Sequence, residues 1–268
     1  HILLAPGSTT GALHIAKILR EKSHQNITIS TFSTLPYAAR AVKRGEVEVY
    51  LKVKTLYFSS FPVKEMENEI RLVRDLFPGI RPMSCVLEVD LNNGNPITHP
   101  APTLLNCARI ENDKGNFLFY RDGISKSVAK INEKLDQERL KICQKFGFAE
   151  IPATKRLFEM GYIDKVYKTL YEAYIKSEAF KNIKAPSNLF DRYIEEDVAY
   201  GLVTMVSIGK MVKVITPTME LIVNLANLIN EKNYWETGLT MEKLGLSHLN
   251  KEEFLKFLKE GRSNKVNW

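Results

Sequence analysis

The sequence predicts an α/β unit followed by an all-α one. Three observations carry that expectation. Short β-branched or apolar runs alternate with helical periodicity up to about residue 84. From about residue 100 nearly every periodic segment is helical. Between them, from Pro82 to Pro100, lies a stretch that suits a boundary, so the chain divides into residues 1–90 and 91–268.

Taken in order, residues 2–5 read as a short buried strand and Pro6-Gly7-Ser8-Thr9-Thr10-Gly11 as a turn. Residues 12–22 put Ala12, Ile15, Ala16, Ile18 and Leu19 at helical spacing. Residues 27–32 form a β-branched strand, 35–42 a short helix, 47–61 one or two strands ending at Pro62, and 66–76 a helix ending near Pro78-Gly79. This alternation predicts a parallel sheet covered on both faces. Further on, helices are expected at 103–110, 125–146, 153–160 and 165–177, and at 192–214 with a break near Gly201. The long helix over 125–146 carries Val128, Ile131, Leu135 and Ile142 as its apolar stripe. Thr216-Pro217 starts a helix that runs to Asn230, and Asn250 caps a last helix over 251–260 that Gly261 closes.

The 268 residues are 44% hydrophobic and 26% charged, a soluble globular profile, with a net charge of +7. An excess of Lys and Arg suits anionic ligands. The lysines are dispersed, and no zinc-finger or RNA-binding signature occurs, which argues against nucleic acid. Cys85, Cys107 and Cys143 are few, odd in number and widely separated. They suit a reducing compartment better than a disulfide framework. The sequence contains neither a long apolar run nor a secretory pattern, so no membrane partner is expected and cytoplasm is the expected location. The chain opens in a strand pattern at His1 without a methionine, which gives the expectation that upstream residues are missing.

Two segments carry the candidate chemistry. In Asn92-Asn93-Gly94-Asn95-Pro96-Ile97-Thr98-His99-Pro100, His99 can exchange a proton near neutral pH; an ordinary loop histidine is the competing reading. In Arg192-Tyr193-Ile194-Glu195-Glu196-Asp197, Arg192 can grip a carboxylate and Asp197 can orient a histidine; a solvated helix start with local ion pairs competes. On a regular helix, positions five apart diverge, so the two need not pair with each other. Thr34 follows the second strand, either as a carboxylate contact or as a cap. Asn106 faces either the same cleft or a packing partner. The turn holding Gly7 and Gly11 is either a ligand-binding strand-to-helix turn or simply a tight one. It is not G-x-G-x-x-G, which occurs nowhere in the chain.

These segments line up. Leu4-Ala5-Pro6-Gly7 with Gly11, Ser33-Thr34 through Arg40, Leu91-Asn92-Asn93 through His99-Pro100 and Leu105-Asn106, Arg192-Tyr193 with Glu196-Asp197, and Gly238 with Leu244-Gly245-Leu246 occur in that order. Over nearly its whole length the chain resembles the octopine/nopaline (opine) dehydrogenase family. The resemblance implies the C-terminal half of a Rossmann-type dinucleotide-binding domain, then an all-helical substrate and dimerisation domain of the 6-phosphogluconate dehydrogenase-like kind. It implies NADH- or NADPH-dependent reductive condensation of an amino acid with a 2-oxo acid. His99 and Asp197 would be the proton-handling pair, Arg192 the carboxylate ligand, Thr34 and Asn106 further substrate contacts, and Pro6 and Gly7 cofactor contacts. A homodimer is compatible with it. The family's dinucleotide fingerprint would lie upstream, so the chain alone is expected not to bind the dinucleotide normally. Two other readings stay open: an NAD(P)-dependent hydroxy-acid dehydrogenase, and a non-catalytic helical binding or dimerisation module.

Overall fold

A computed structural model describes residues 1–24 and 26–268 and, within them, every side chain except that of Val42. The α/β part holds β1 (Ile2–Leu4), α1 (Gly11–Glu21), β2 (Ile29–Phe32), β3 (Tyr37–Lys43), β4 (Glu46–Lys52), β5 (Leu56–Phe61), α2 (Met66–Val73) and β6 (Ile80–Pro82). Four strands form one sheet in the order β1-β2-β5-β6. The pairs β1–β2 and β5–β6 are parallel, as expected, whereas β2 and β5 run antiparallel. The sheet is therefore mixed.

The antiparallel pairing has a local cause. Residues 35–42, expected as a helix, instead belong largely to β3, which pairs with β4 as a separate hairpin closed by a turn at Arg44-Gly45. The apolar side chains here sit on an exposed ribbon, where Tyr37, Val47 and Val49 stay open to solvent. A short apolar run does not by itself separate helix from strand. The hairpin sits between β2 and β5 in the chain, and β5 re-enters the sheet beside β2 in the opposite direction.

The helical part begins with α3 (Val86–Leu91), α4 (Asn95–Thr98), α5 (Pro100–Leu105), α6 (Cys107–Asp113), α7 (Phe119–Asp122), α8 (Lys126–Phe146), α9 (Ala153–Met160) and α10 (Leu170–Lys176). It continues with α11 (Arg192–Glu195), a π-helical turn (Val198–Leu202), α12 (Val203–Met211), α13 (Pro217–Asn230), α14 (Tyr234–Thr237) and α15 (Lys251–Glu260). Caps explain several limits. Ser125 accepts from the Val128 N–H at the start of α8. Asn250 and Glu253 form a capping box on α15. A second box, Thr169 with Glu172, starts α10 later than the periodicity suggests. The expected helix over 103–110 is broken at Asn106 into α5 and α6.

One apolar core joins the two parts: Leu13 of α1, Ile29 of β2 and Phe61 of β5 share it with Leu135 of α8, Val206 of α12 and Phe257 of α15. The α8 helix does more than present an apolar stripe. Asp136, Glu138 and Arg139 are buried as well. Glu138 accepts from the N–H groups of Thr218 (2.7 Å) and Met219 (2.9 Å), capping α13. Asp136 accepts from the Ala153 N–H at 2.8 Å, capping α9. These bonds satisfy donors that no helix can satisfy internally. Thr216, expected as the α13 cap, makes no side-chain cap bond.

Candidate active site

A cleft of about 610 Å³ opens where the carboxyl ends of β1 and β2 meet the helical part. Ala5 and Pro6 line it from β1, Thr34 from β2, and His99 and Arg192 from the helices. In mixed and parallel α/β sheets this is where ligands sit.

His99 stands at the junction of α4 and α5, with Pro100 opening the second helix. Its backbone is fixed on both sides: its N–H donates to Asn95 O (2.9 Å), and its carbonyl accepts from Thr103 Oγ1 (2.8 Å). Two of the neighbouring amides are structural, since Asn93 Oδ1 accepts from the Asn95 N–H (3.0 Å) and Asn92 Nδ2 donates to Glu88 O (2.8 Å), whereas Asn95 lines the cleft.

The spacing of Arg192 and Asp197 is resolved by the π-helical turn. Asp197 N–H donates to Arg192 O at 3.2 Å, a five-residue step. The wider turn brings positions five apart to one side, which a regular helix would not do. The turn packs closely on α4, because a Cβ at Gly201 would lie 2.5 Å from Pro96 Cγ. This close approach brings Asp197 to His99.

His99 Nδ1 and Asp197 Oδ2 are 2.8 Å apart, with His99 5% and Asp197 3% exposed. Burial pushes the Asp197 carboxyl up from its ordinary value, and the bond from His99 opposes that rise. The Tyr193 ring stacks on the imidazole at 3.9 Å. On the far side of the ring, Nε2 lies 3.1 Å from the Tyr120 hydroxyl. With Nδ1–H donating to Asp197, Nε2 is left to accept a hydrogen bond from the Tyr120 hydroxyl. Burial, reinforced by nearby tyrosines, raises the Tyr120 pKa well above its ordinary value, so it stays a phenol.

Of the residues singled out in the sequence, the structure gathers His99, Arg192, Thr34 and Pro6 around one cleft, with Asp197 behind the histidine. Thr34 faces the Tyr162 hydroxyl there. Asn106 is not among the lining residues: its Nδ2 donates to Pro102 O and Gly123 O, both at 2.8 Å, which ties it to the helix break. Gly7 is buried against Thr31 and does not line the cleft. The turn after it is occupied by the protein itself. Thr9 N–H donates to Tyr200 O (3.0 Å), Thr10 N–H to Asp90 Oδ2 (3.0 Å), and Ser8 Oγ to Glu196 Oε1 (3.1 Å). Much of its donor set is therefore used inside the protein. Tyr120, Tyr193 and Arg156, which also line the cleft, carried no signal of their own in the sequence.

The sequence model described as NAD/NADP octopine/nopaline dehydrogenase, alpha-helical domain, matches residues 82–230. The chain is 34% identical over 248 residues to an opine dehydrogenase of Arthrobacter sp. strain 1C, a match covering 92% of this chain and 68% of that enzyme. It is 26% identical to a vitopine synthase of Allorhizobium ampelinum, covering 93% of this chain and 68% of that protein. Its fold matches a solved octopine dehydrogenase in complex with NADH and agmatine, with a TM-score of 0.75 at 17% identity, covering 100% of this chain and 73% of that one. With more than half of its length matched by the family's helical domain and a curated relative above 30% identity, the chain belongs to the octopine/nopaline (opine) dehydrogenase family.

Proposed function

We infer that this chain carries the substrate cleft of an NAD(P)H-dependent opine dehydrogenase, which condenses an amino acid with a 2-oxo acid and reduces the resulting imine to a secondary amine. The single observation that carries the reading, beyond membership of the family, is the buried His99–Asp197 pair at 2.8 Å in a cleft that Arg192 also lines.

The roles follow from the geometry. The amino acid must arrive as a free amine, so a proton must leave its ammonium group. Loss of water from the carbinolamine needs a proton delivered to the departing hydroxyl. His99 Nε2, the ring nitrogen not held by Asp197, is placed to do both, with the Tyr120 hydroxyl beside it. Asp197 fixes the ring and stabilises the imidazolium. Arg192 is exposed, and its guanidinium lies 5.2 Å from the centre of the Tyr193 ring that stacks on His99. It can hold a substrate carboxylate bidentately near the reacting carbon. Thr34, which also lines the cleft, supplies a hydroxyl.

The cofactor supplies hydride to the imine carbon. The residues present fit its reactive end: Ala5 and Pro6 put the carboxyl end of β1 on the cleft wall. The turn at residues 8–10 is a poor place for its pyrophosphate, because the Thr9 and Thr10 N–H groups and Ser8 Oγ already donate within the protein. We place the division between a dinucleotide-binding part and the helical substrate part near residue 90. The three unpaired cysteines suit a cytoplasmic setting.

The test is NAD(P)H oxidation by the full-length enzyme with a panel of 2-oxo acids, each with and without amino acids. Oxidation that needs both partners is expected. Oxidation with the oxo acid alone would replace this reading with a hydroxy-acid dehydrogenase, and no oxidation with any pair would favour a binding module.

A further inference from the structure

We infer that Arg156 is a second carboxylate anchor, buried in the floor of the cleft, that grips a substrate carboxylate other than the one Arg192 meets. The inference rests on the opine dehydrogenase reading and adds to it a specificity-determining residue.

Arg156 projects from α9 and lines the cleft, yet it is only 2% exposed. Its Nη1 is buried without a hydrogen-bond partner, and among the described residues its side chain forms no ion pair. Asp136, the carboxylate whose charge supports Arg156, is bonded elsewhere. Asp136 Oδ1 accepts from Arg139 Nε (2.9 Å) and Nη2 (2.7 Å), and Asp136 Oδ2 accepts from the Ala153 N–H (2.8 Å). Burial, and after it the charge on Arg139, lowers the Arg156 pKa to about 10, which leaves it a cation at neutral pH.

A buried charge without a partner is costly, and folded proteins rarely keep one unless something else neutralises it. The open side of Arg156 is the cleft, so the missing anion is a ligand. A planar guanidinium matches a carboxylate fork, and both co-substrates of the proposed reaction bring carboxylates. Gly94 keeps the floor flat beneath it: a Cβ there would stand 3.1 Å from Nη2 and 3.5 Å from Nε. Gly94 itself has an ordinary right-handed backbone at φ −78. An alanine would be accepted by the main chain and would act on the guanidinium.

Two carboxylates of the 2-oxo acid could fill this place: the α-carboxylate common to every such acid, or the side-chain carboxylate of a dicarboxylic one. The experiment compares the full-length wild-type enzyme with Arg156→Gln, Arg156→Lys and Gly94→Ala, using pyruvate and 2-oxoglutarate as probes with an amino-acid panel. Arg156→Gln should raise the KM of a carboxylate substrate about 10- to 100-fold, with a smaller change in kcat. Arg156→Lys should recover part of the loss. Gly94→Ala should move the same KM in the same direction by less, and it serves as the readout if Arg156→Gln fails to fold. A rise for both oxo acids assigns the α-carboxylate, and a rise for 2-oxoglutarate alone assigns the side-chain carboxylate. Unchanged KM values in a variant that still turns over would overturn the inference. Ligand-induced thermal shift separates it from the reaction itself. If no substrate pair is turned over, but an oxo acid still raises the Tm of wild type and not of Arg156→Gln, the anchor stands and the condensation reading fails. If the oxo acid shifts both proteins equally, the anchor fails.

Discussion

Two arginines on adjoining helices face opposite conditions. Arg139 of α8 is 0% exposed and fully engaged: it donates to Asp136, to Leu91 O (3.2 Å) and to Ile151 O (2.6 Å). Arg156 of α9 is almost as buried, and among the described residues its side chain has neither hydrogen bond nor ion pair. The same helix start connects them, since Asp136 caps α9 and pairs with Arg139. The difference separates two uses of buried charge. Around α8 each charge is answered inside the chain and fixes how helices meet. On the cleft floor a charge is left over, and the chain bears its cost for a ligand.

The largest expected effect lies on the cleft side. His99→Asn keeps an N–H near the place of Nδ1 for Asp197 but cannot exchange a proton. Turnover should fall about 10²- to 10⁴-fold. The folded state should persist, as read by circular dichroism on the same preparation. If the variant unfolds instead, His99 belongs with the structural charges and the division fails there.

Next comes the paired side. Arg139→Met removes the partner of Asp136 and strips donors from two buried carbonyls. It should cost about 3–5 kcal/mol in urea denaturation. Arg156→Met, which breaks no such bond, should leave stability level or raise it by about 0.5–2 kcal/mol, as removal of a strained functional group often does. Equal losses at the two positions would abolish the contrast.

How much of this was readable in advance follows from how local each signal is. The limits of α15 come from Asn250 and Gly261, residues at the helix ends themselves, and the sequence showed them. The hairpin at β3 and β4 depends on a pairing across the chain, so an apolar run at 35–42 was misread as helix. The charges of α8 are a stronger case. Nothing near Asp136, Glu138 or Arg139 tells that their partners are Ala153, Thr218 and Ile151. In the cleft, the family resemblance picked out His99, Arg192 and Asp197, and the structure brings them together. Tyr120 and Arg156 were invisible because one is defined by the ring it touches and the other by partners it lacks. Asn106, expected at the cleft or in packing, takes the packing place: its amide closes a helix break that periodicity did not reveal.

Asp90 lies between the two extremes and gives the smallest and most specific test. It is buried at the end of α3, and its Oδ2 accepts one bond, from the Thr10 N–H, that ties the turn after β1 to the helix. Burial raises its pKa well above the ordinary carboxylate value, and the Thr10 N–H only partly opposes that. The folded protein therefore holds this proton more tightly than the unfolded chain does. The contribution of Asp90 to stability is fully present below the unfolded pKa of about 4 and is lost as pH rises through the higher folded value. Asp90→Asn keeps an acceptor for Thr10 and cannot ionise. Melting curves of the two proteins should converge near pH 4 and separate as pH rises, with the variant more stable at neutral pH by on the order of 1 kcal/mol. A gap that is constant with pH would mean that Asp90 is as well answered as Arg139. A variant that loses stability at neutral pH would mean that its charge, like those of α8, holds the fold.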